Sequence, residues 1–284
     1  MRSINDSLIL GAMRCPVCKQ EMSLREGGCV SLVCGGARTH CFDLASSGYV
    51  NLSSPTKSGG GDSKHAVRAR SRFLDLDLYR PVADEIARVC SQYKSQGGLL
   101  IDAGCGEGYY SVIMAKNGFS VFGADLSKFA VDAASKRAGR EGADNAFFAT
   151  ASVYELPVAD SSAQVVTNIF APCVESEFSR VLAPDGILVV AWAGENHLNG
   201  LKNAIYEKTH LNAERADLPE KMQEIDRRRV TREITLCSNE QIMDLFAMTP
   251  YYWRTSVSDG EKLSRLDSLK TEVDIMITVY KNNK

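Results

Sequence analysis

The chain has 284 residues, 24% of them charged and 44% hydrophobic, with a formal net charge of −2. No apolar run approaches the ~18 residues a bilayer crossing needs, and the first fourteen residues lack the charged-then-apolar pattern of a secretory leader, which points to a cytoplasmic protein with no membrane partner. Near-neutral charge excludes a surface coated throughout with cations, but it leaves room for local basic patches.

Nine cysteines in a reducing compartment read as thiols rather than disulfides, and five of them, Cys15, Cys18, Cys29, Cys34 and Cys41, fall in the first forty-one residues. Cys15-Pro16-Val17-Cys18 is a knuckle that aims two thiolates at one point. With Cys34 and His40 it gives C-x2-C-x15-C-x5-H, the spacing of a four-ligand structural zinc site. About fifty residues bury little core, so a metal supplies the missing stability. Strand-like runs at residues 29–33 and 41–44 predict a zinc ribbon. His40 is the preferred fourth ligand and Cys41 its rival, since neighbours on a strand point opposite ways. Cys29 reads as a small buried hydrophobe. No thioredoxin-like βαβ surrounds the knuckle to support a redox reading.

The module is placed at residues 1–54 and a basic connector at 55–80. The stretch 53–63 is rich in Ser, Gly, Pro and Lys and reads as a flexible linker. Lys57, Lys64, Arg68, Arg70 and Arg72 face one acid there, Asp62. A helix is predicted from about residue 65 and a second over 81–93, with Pro81 favourable at its start.

Residues 81–284 read as the main domain. The apolar run Leu99-Leu100-Ile101 is a buried strand, followed by Asp102-Ala103-Gly104-Cys105-Gly106-Glu107-Gly108 and a helix over 110–116. Glycines let the backbone approach a ligand closely, and the helix N-terminus faces it with free N–H groups. The spacing is G-x-G-x-G, not the G-x-G-x-x-G that seats a pyrophosphate. Asp102 is placed to receive an ammonium, which favours S-adenosylmethionine over a dinucleotide. A second strand, 121–124, ends in Asp125, suited to two ribose hydroxyls.

A helix over 127–139 and a third strand over 145–149 follow. The loop after that strand offers Ser152 to the adenine edge. The fourth strand spans 164–169, and Pro184-Asp185-Gly186 turns into the fifth, 187–192. Residues 200–248 read as a polar helical insertion, and Arg227, Arg228, Arg229 and Arg232 as its solvated basic face. Strands over 251–257 and 273–280 complete an antiparallel pair. The expected fold is therefore α/β: a class I (Rossmann-like, seven-stranded) S-adenosylmethionine-dependent methyltransferase core with a small N-terminal zinc ribbon.

In such sheets ligands bind beyond the carboxyl ends of the strands, so Asp102, Asp125 and the loops 151–155 and 168–173 should converge. Methyl transfer is an in-line displacement governed by positioning. It needs no covalent cysteine, so Cys105 and Cys173 read as packing residues. Asn168, Cys173 and Glu155 are the candidates for handling the nucleophile and its proton. Zinc modules beside methyltransferase cores serve RNA or protein substrates, and Tyr79, Tyr109, Tyr110, Phe170 and Trp192 are candidates to stack an exposed base.

The chain resembles the bacterial 23S ribosomal RNA (guanine-N1-)-methyltransferases, a family with members associated with resistance to tylosin-type macrolides. The resemblance rests on Cys15-Pro16-x-Cys18, on His40-Cys41-Phe42-Asp43-Leu44 and on Gly48-Tyr49-Val50-Asn51-Leu52. It continues through Gly61-Asp62-Ser63, Tyr79-Arg80-Pro81, the 102–110 string, Phe170-Ala171-Pro172-Cys173 and His197-Leu198. It implies a zinc ribbon that helps recognise an rRNA hairpin, methylation at guanine N1, and a homodimer. It also implies cofactor contacts from Tyr79, Gly106, Glu107 and His197. The Cys34–His40 spacing is two residues longer than the C-x3-H expected in the family, and the glycine-rich loop 35–39 absorbs the difference. Two other readings compete: a small-molecule methyltransferase acting on a quinone or phenol, and an RNA-binding protein that keeps the cofactor but not the chemistry.

Overall fold

The computed structural model describes residues 4, 6–27, 29–53, 61–93, 97–213 and 215–284. The central part of the expected linker, with Lys57, Gly59 and Gly60, lies outside the described residues.

A short helix α1 (Ser7–Ala12) leads into a three-stranded antiparallel ribbon of β1 (Met22–Arg25), β2 (Ser31–Cys34) and β3 (Cys41–Asp43). Strand β4 (Val50–Asn51) then leaves the ribbon. Helices α2 (Lys64–Leu74) and α3 (Arg80–Tyr93) follow, the first capped by Ser63, whose hydroxyl accepts from the Ala66 N–H.

The main unit alternates β5 (Leu99–Ala103), α4 (Tyr109–Lys116), β6 (Ser120–Asp125), α5 (Lys128–Arg140), β7 (Ala146–Thr150) and β8 (Ala163–Ile169). It continues through α6 (Glu175–Val181), β9 (Leu182–Ala193), α7 (Asn199–Ile205), β10 (Gln223–Leu236), α8 (Asn239–Ala247), α9 (Tyr251–Arg254), α10 (Val257–Leu263) and β11 (Leu269–Lys281). The sheet order is β10-β11-β9-β8-β5-β6-β7-β4. Strands β4 to β9 run parallel, whereas β11 is antiparallel to both β9 and β10. Residues 99–281 therefore hold seven strands, the expected number though not all the expected segments, with two-residue β4 added at the edge beside β7. The Pro184–Gly186 turn is an irregularity inside β9, where the register with β8 shifts.

Two assignments differ from the sequence expectation. Residues 251–257 are not a strand. Pro250 precedes the single turn α9 and Ser256 caps α10, so the aromatic run Tyr251-Tyr252-Trp253 forms a short helix, with Trp253 70% exposed. The seventh strand is β10, inside the segment expected to be a helical insertion. Helix in that segment is confined, among the described residues, to α7 and α8. Strand β10 carries few apolar residues because it is a sheet edge, where charged side chains also block pairing with other chains.

Successive strand residues face opposite layers. Leu100, Val121, Phe148 and Val189 pack under α2 to α5, α7 and α8. Ile101, Phe122, Ala149 and Val190 face α6 and the N-terminal module, where Ile9, Met13, Cys15 and Leu32 are buried in the same core. The ribbon therefore serves as part of one helical layer rather than as a separate bead.

Candidate active site and zinc centre

The four predicted ligands meet. Donor atoms of Cys15, Cys18, Cys34 and His40 all lie within 4.8 Å of one another. His40 Nδ1 is 3.6 Å from Cys15 Sγ and 3.4 Å from Cys34 Sγ, and Cys18 and Cys34 sulfurs are 3.5 Å apart. Three sulfurs and one imidazole nitrogen at this separation suit a tetrahedral zinc ion. The backbone N–H groups of His40 and Gly36 point at Cys34 and pull its thiol down to about 6, which favours the thiolate a metal needs. Cys41 faces away, with its sulfur 3.1 Å from the Arg25 guanidinium, so the rivalry for the fourth position falls to His40. Cys29 is exposed, not buried; its sulfur lies beside Ser31 and Asp43 on the open face of the ribbon.

At the other site, β5 delivers the glycine loop. Gly104 has φ +86, and a Cβ there would sit 2.3 Å from the Ala171 Cβ. Gly108 has φ +82, begins α4, and a Cβ would meet Ala134 at 2.8 Å. No other residue fits either place. The Gly106 N–H donates to Asp125 Oδ2 at 3.1 Å, and the Ala151 N–H to the Asp125 carbonyl at 3.0 Å. The Asn168 amide donates to the Ala103 carbonyl at 3.2 Å. The glycine loop, Asp125 and the loops 151–155 and 168–173 thus converge as expected. Burial pushes Asp125 upward, opposed by the N–H groups of Ser127 and Gly106. A glycine turn beside a strand-end carboxylate fits S-adenosylmethionine.

Asp102 is 2% exposed. Its oxygens accept from Ser111 Oγ at 2.5 Å and Thr167 Oγ1 at 3.0 Å. Burial outweighs these bonds and raises its carboxyl to about 6. Glu107 is equally buried and receives Arg137 Nε at 2.8 Å. Arg70 of α2 lies over Gly106 and pairs with Asp62. The Asp62 carbonyl accepts from Ser127 Oγ at 2.7 Å, so the connector closes over the loop after β6. Ser152 Oγ accepts the Tyr154 N–H at 3.2 Å.

His197 and Tyr79 are both buried, with Tyr79 Oη 3.3 Å from His197 Nε2. The Asp274 N–H donates to His197 Nδ1, so a neutral ring carries its proton on Nε2 and donates toward Tyr79. Burial lowers His197 to about 4, which keeps it neutral.

The three candidates for handling the nucleophile are all engaged. Asn168 is fully buried; its amide donates to the carbonyls of Ala103 and Pro172, and its oxygen accepts from Arg215. Burial pushes the Cys173 thiol up to about 12. Glu155 pairs with Lys19, one residue past the knuckle, at 2.6 Å. Sequence reasoning missed the Arg215–Asp217 pair, which holds the Ala171 carbonyl at 2.6 Å and the Cys173 N–H at 2.9 Å. It also missed Arg137. Neither carried a motif signal.

Of the basic clusters, Arg227, Arg228 and Arg229 are tied to Glu224, Glu85 and Asp274 along the β10 edge. Lys64, Arg68, Arg72, Lys136 and Phe129 line a groove between α2 and α5. No described helix is long and apolar enough to cross a membrane.

Fold and site define a class I S-adenosylmethionine-dependent methyltransferase carrying a zinc ribbon. A family model described as "Methyltransferase domain" matches residues 94–248, and the zinc-ribbon model "RlmA, N-terminal" matches residues 13–55. A Bacillus subtilis (strain 168) protein provisionally named 23S rRNA (guanine-N1-)-methyltransferase YxjB is 31% identical over 281 residues, 94% of this chain and 95% of that one. A Streptomyces fradiae 23S rRNA (guanine(748)-N1)-methyltransferase is 32% identical over 199 residues, 68% of this chain and 67% of that one. The solved structure of a type II methyltransferase, so named provisionally, from Anaeromyxobacter dehalogenans shares the fold. Its TM-score is 0.51 at 16% identity, over 70% of this chain and 95% of that one. The chain belongs to the 23S rRNA (guanine-N1-)-methyltransferase family.

Proposed function

We propose that this protein transfers a methyl group from S-adenosylmethionine to N1 of a guanine in a 23S rRNA hairpin, with the zinc module assisting RNA recognition. The observation that carries the reading is the pairing, in one fold, of a glycine cradle facing Asp125 with a Cys3His cluster built into the same core. Residues 1–54 form the RNA-recognition module, 55–80 the connector and 81–284 the catalytic domain. The protein works in the cytoplasm as a homodimer.

S-adenosylmethionine, when bound, supplies an electrophilic methyl group. The protein contributes position. Gly104, Gly106 and Gly108 form the turn that brings the backbone to the cofactor, Asp125 takes the ribose hydroxyls and Ser152 the adenine edge. Asp102 receives the ammonium, while Glu107 holds the loop and Tyr79 and His197 close the methionine end. Cys15, Cys18, Cys34 and His40 hold zinc. Asn168 acts as a positioning residue that fixes the 168–173 loop beside Gly104. Cys173 stays a thiol and Glu155 is held by Lys19, so the N1 proton leaves to water.

The test is transfer of labelled methyl to 23S rRNA from a strain lacking the modification, followed by primer extension, because N1 methylation blocks Watson–Crick pairing. A new stop at one guanine is expected. Cofactor binding without transfer to RNA would refute the reading.

A further inference from the structure

Five aromatic residues near the site were candidates to meet a base, and the structure separates them. Tyr79, Tyr109 and Trp192 are buried and Tyr110 is partly so, but Phe170 is 46% exposed. Its backbone is also unusual. Phe170 has φ +53, the left-handed region that bulky side chains avoid. Its N–H is pinned to the Ala191 carbonyl at 3.0 Å. Burial cannot be the reason for this conformation, since the ring is half in solvent. Strained residues of this kind concentrate at functional sites.

The ring is held in a defined plane. It stacks on His197 with centroids 6.1 Å apart and planes at 19°. His197 is fixed in turn by the Asp274 N–H and by Tyr79. The loop beneath is fixed by Asn168 and by the Arg215–Asp217 pair. One face of Phe170 is therefore backed by a rigid stack.

The sheet order gives its place relative to the cofactor. Asp125 ends β6, on one side of β5, and Phe170 follows β8, on the other. Ala171, the next residue, packs against Gly104. A cofactor with its ribose at Asp125 and its chain crossing the β5 loop extends its methionine half toward Phe170. RNA bases are read by splaying them out and stacking them on aromatic rings.

We propose that Phe170 is the platform on which the target guanine stacks, presenting N1 at the methyl end of the cradle. This rests on the reading of the protein as an rRNA guanine methyltransferase. Exposed Tyr154 lies on the opposite flank, in the loop after β7 and next to the Glu155–Lys19 pair, and serves as the control.

The experiment compares Phe170→Gly, Phe170→Leu, Phe170→Tyr, Phe170→Trp and Tyr154→Ala in the full-length protein. It reads kcat and KM on 23S rRNA, S-adenosylmethionine affinity and melting temperature. Glycine relieves the positive φ, so loss in that variant cannot be charged to backbone strain. The Gly and Leu variants should lose roughly 5- to 150-fold in kcat/KM, with Tyr and Trp within about threefold of wild type. Cofactor affinity and melting temperature should hold in all of them. A Leu variant as active as wild type would overturn the proposal. So would cofactor affinity falling in step with turnover, which would make Phe170 a cofactor wall, or a loss at Tyr154→Ala with none at Phe170. Wild-type protein that transfers nothing to RNA would instead refute the functional reading, and this proposal with it.

Discussion

Arg137→Met tests the physical account of the glycine loop. Arg137 and Glu107 are both nearly inaccessible, with Nε and Oε2 2.8 Å apart. Arg137 also reaches half-exposed Asp75 at 2.7 Å and lies 5.6 Å over the Tyr109 ring. It therefore ties the cofactor loop to the end of α2. Burial raises Glu107 even with Arg137 and Arg70 nearby, so attraction does not fully offset the lost hydration of this carboxylate. Arg137 itself is held more firmly charged despite its burial, because it faces three carboxylates, those of Glu107, Asp75 and Glu141. Removing Arg137 leaves the buried Glu107 carboxylate without its hydrogen-bonded cation, at a cost of about 3–5 kcal/mol. That corresponds to a melting temperature lower by roughly 10 °C. Methionine keeps the aliphatic volume, so little of the loss comes from a cavity. Glu107→Gln with Arg137→Met removes both charges and should recover most of it. Thermal and urea unfolding followed by circular dichroism provide the assay. A loss under about 1 kcal/mol for Arg137→Met, or a double variant less stable than that single one, would refute the reasoning.

Three further outcomes follow from the same geometry. Asp102 is raised to about 6 by burial, so the unliganded fold is favoured by its protonated form, and that contribution is lost as pH rises from about 4 to about 6. A cation favours the ionised form, so S-adenosylmethionine should bind about tenfold more weakly at pH 5 than at pH 7.5 by calorimetry, and Asp102→Asn should abolish this dependence. His40→Ala should lower the zinc content and destabilise the module, whereas Cys41→Ser should retain one zinc per chain by metal analysis, because Cys41 points away from the cluster. Lys64→Ala and Arg68→Ala should each reduce the slope of log affinity against log salt for rRNA by about 1, if each meets one phosphate; unchanged slopes would remove the α2–α5 groove from the RNA path.

Legibility followed locality. The cradle could be read because each constraint sits in consecutive residues: a strand end, glycines with positive φ and a helix start. The zinc ligands could be read because knuckle spacing is itself the chemistry. Strand β10 could not. Its residues alternate weakly and its arginines look like a solvated face, yet Arg229 bonds to Asp274 and Arg228 to Glu85, partners 45 and 143 positions away in sequence. Asn168 looked available for a base, but its partners Arg215 and Ala103 come from the fold. Cys29 looked like core because free cysteine usually is; it lies ahead of β2, where the chain is exposed and its sulfur faces Ser31 and Asp43.

The packing of the zinc module explains how so small a unit is stable and why its place matters. A ribbon of this size has too little apolar surface for a core of its own. Here Met13, Leu32 and Val50 share a core with Phe122 and Ala149 of the main sheet. The attachment then continues through backbone bonds. Arg14 N–H donates to Pro157, Ala159 N–H to Ala12, and Leu52 N–H to Thr150. Lys19, one residue past the knuckle, pairs with Glu155. These contacts bracket the 150–159 segment on both sides, and that segment carries Ser152 and abuts Asp125. Metal site and cofactor cradle therefore share one wall, and the distance between them is set by the sheet rather than by a linker. A substrate that touches both must span a fixed separation, which a folded hairpin can do and a small phenol or quinone cannot.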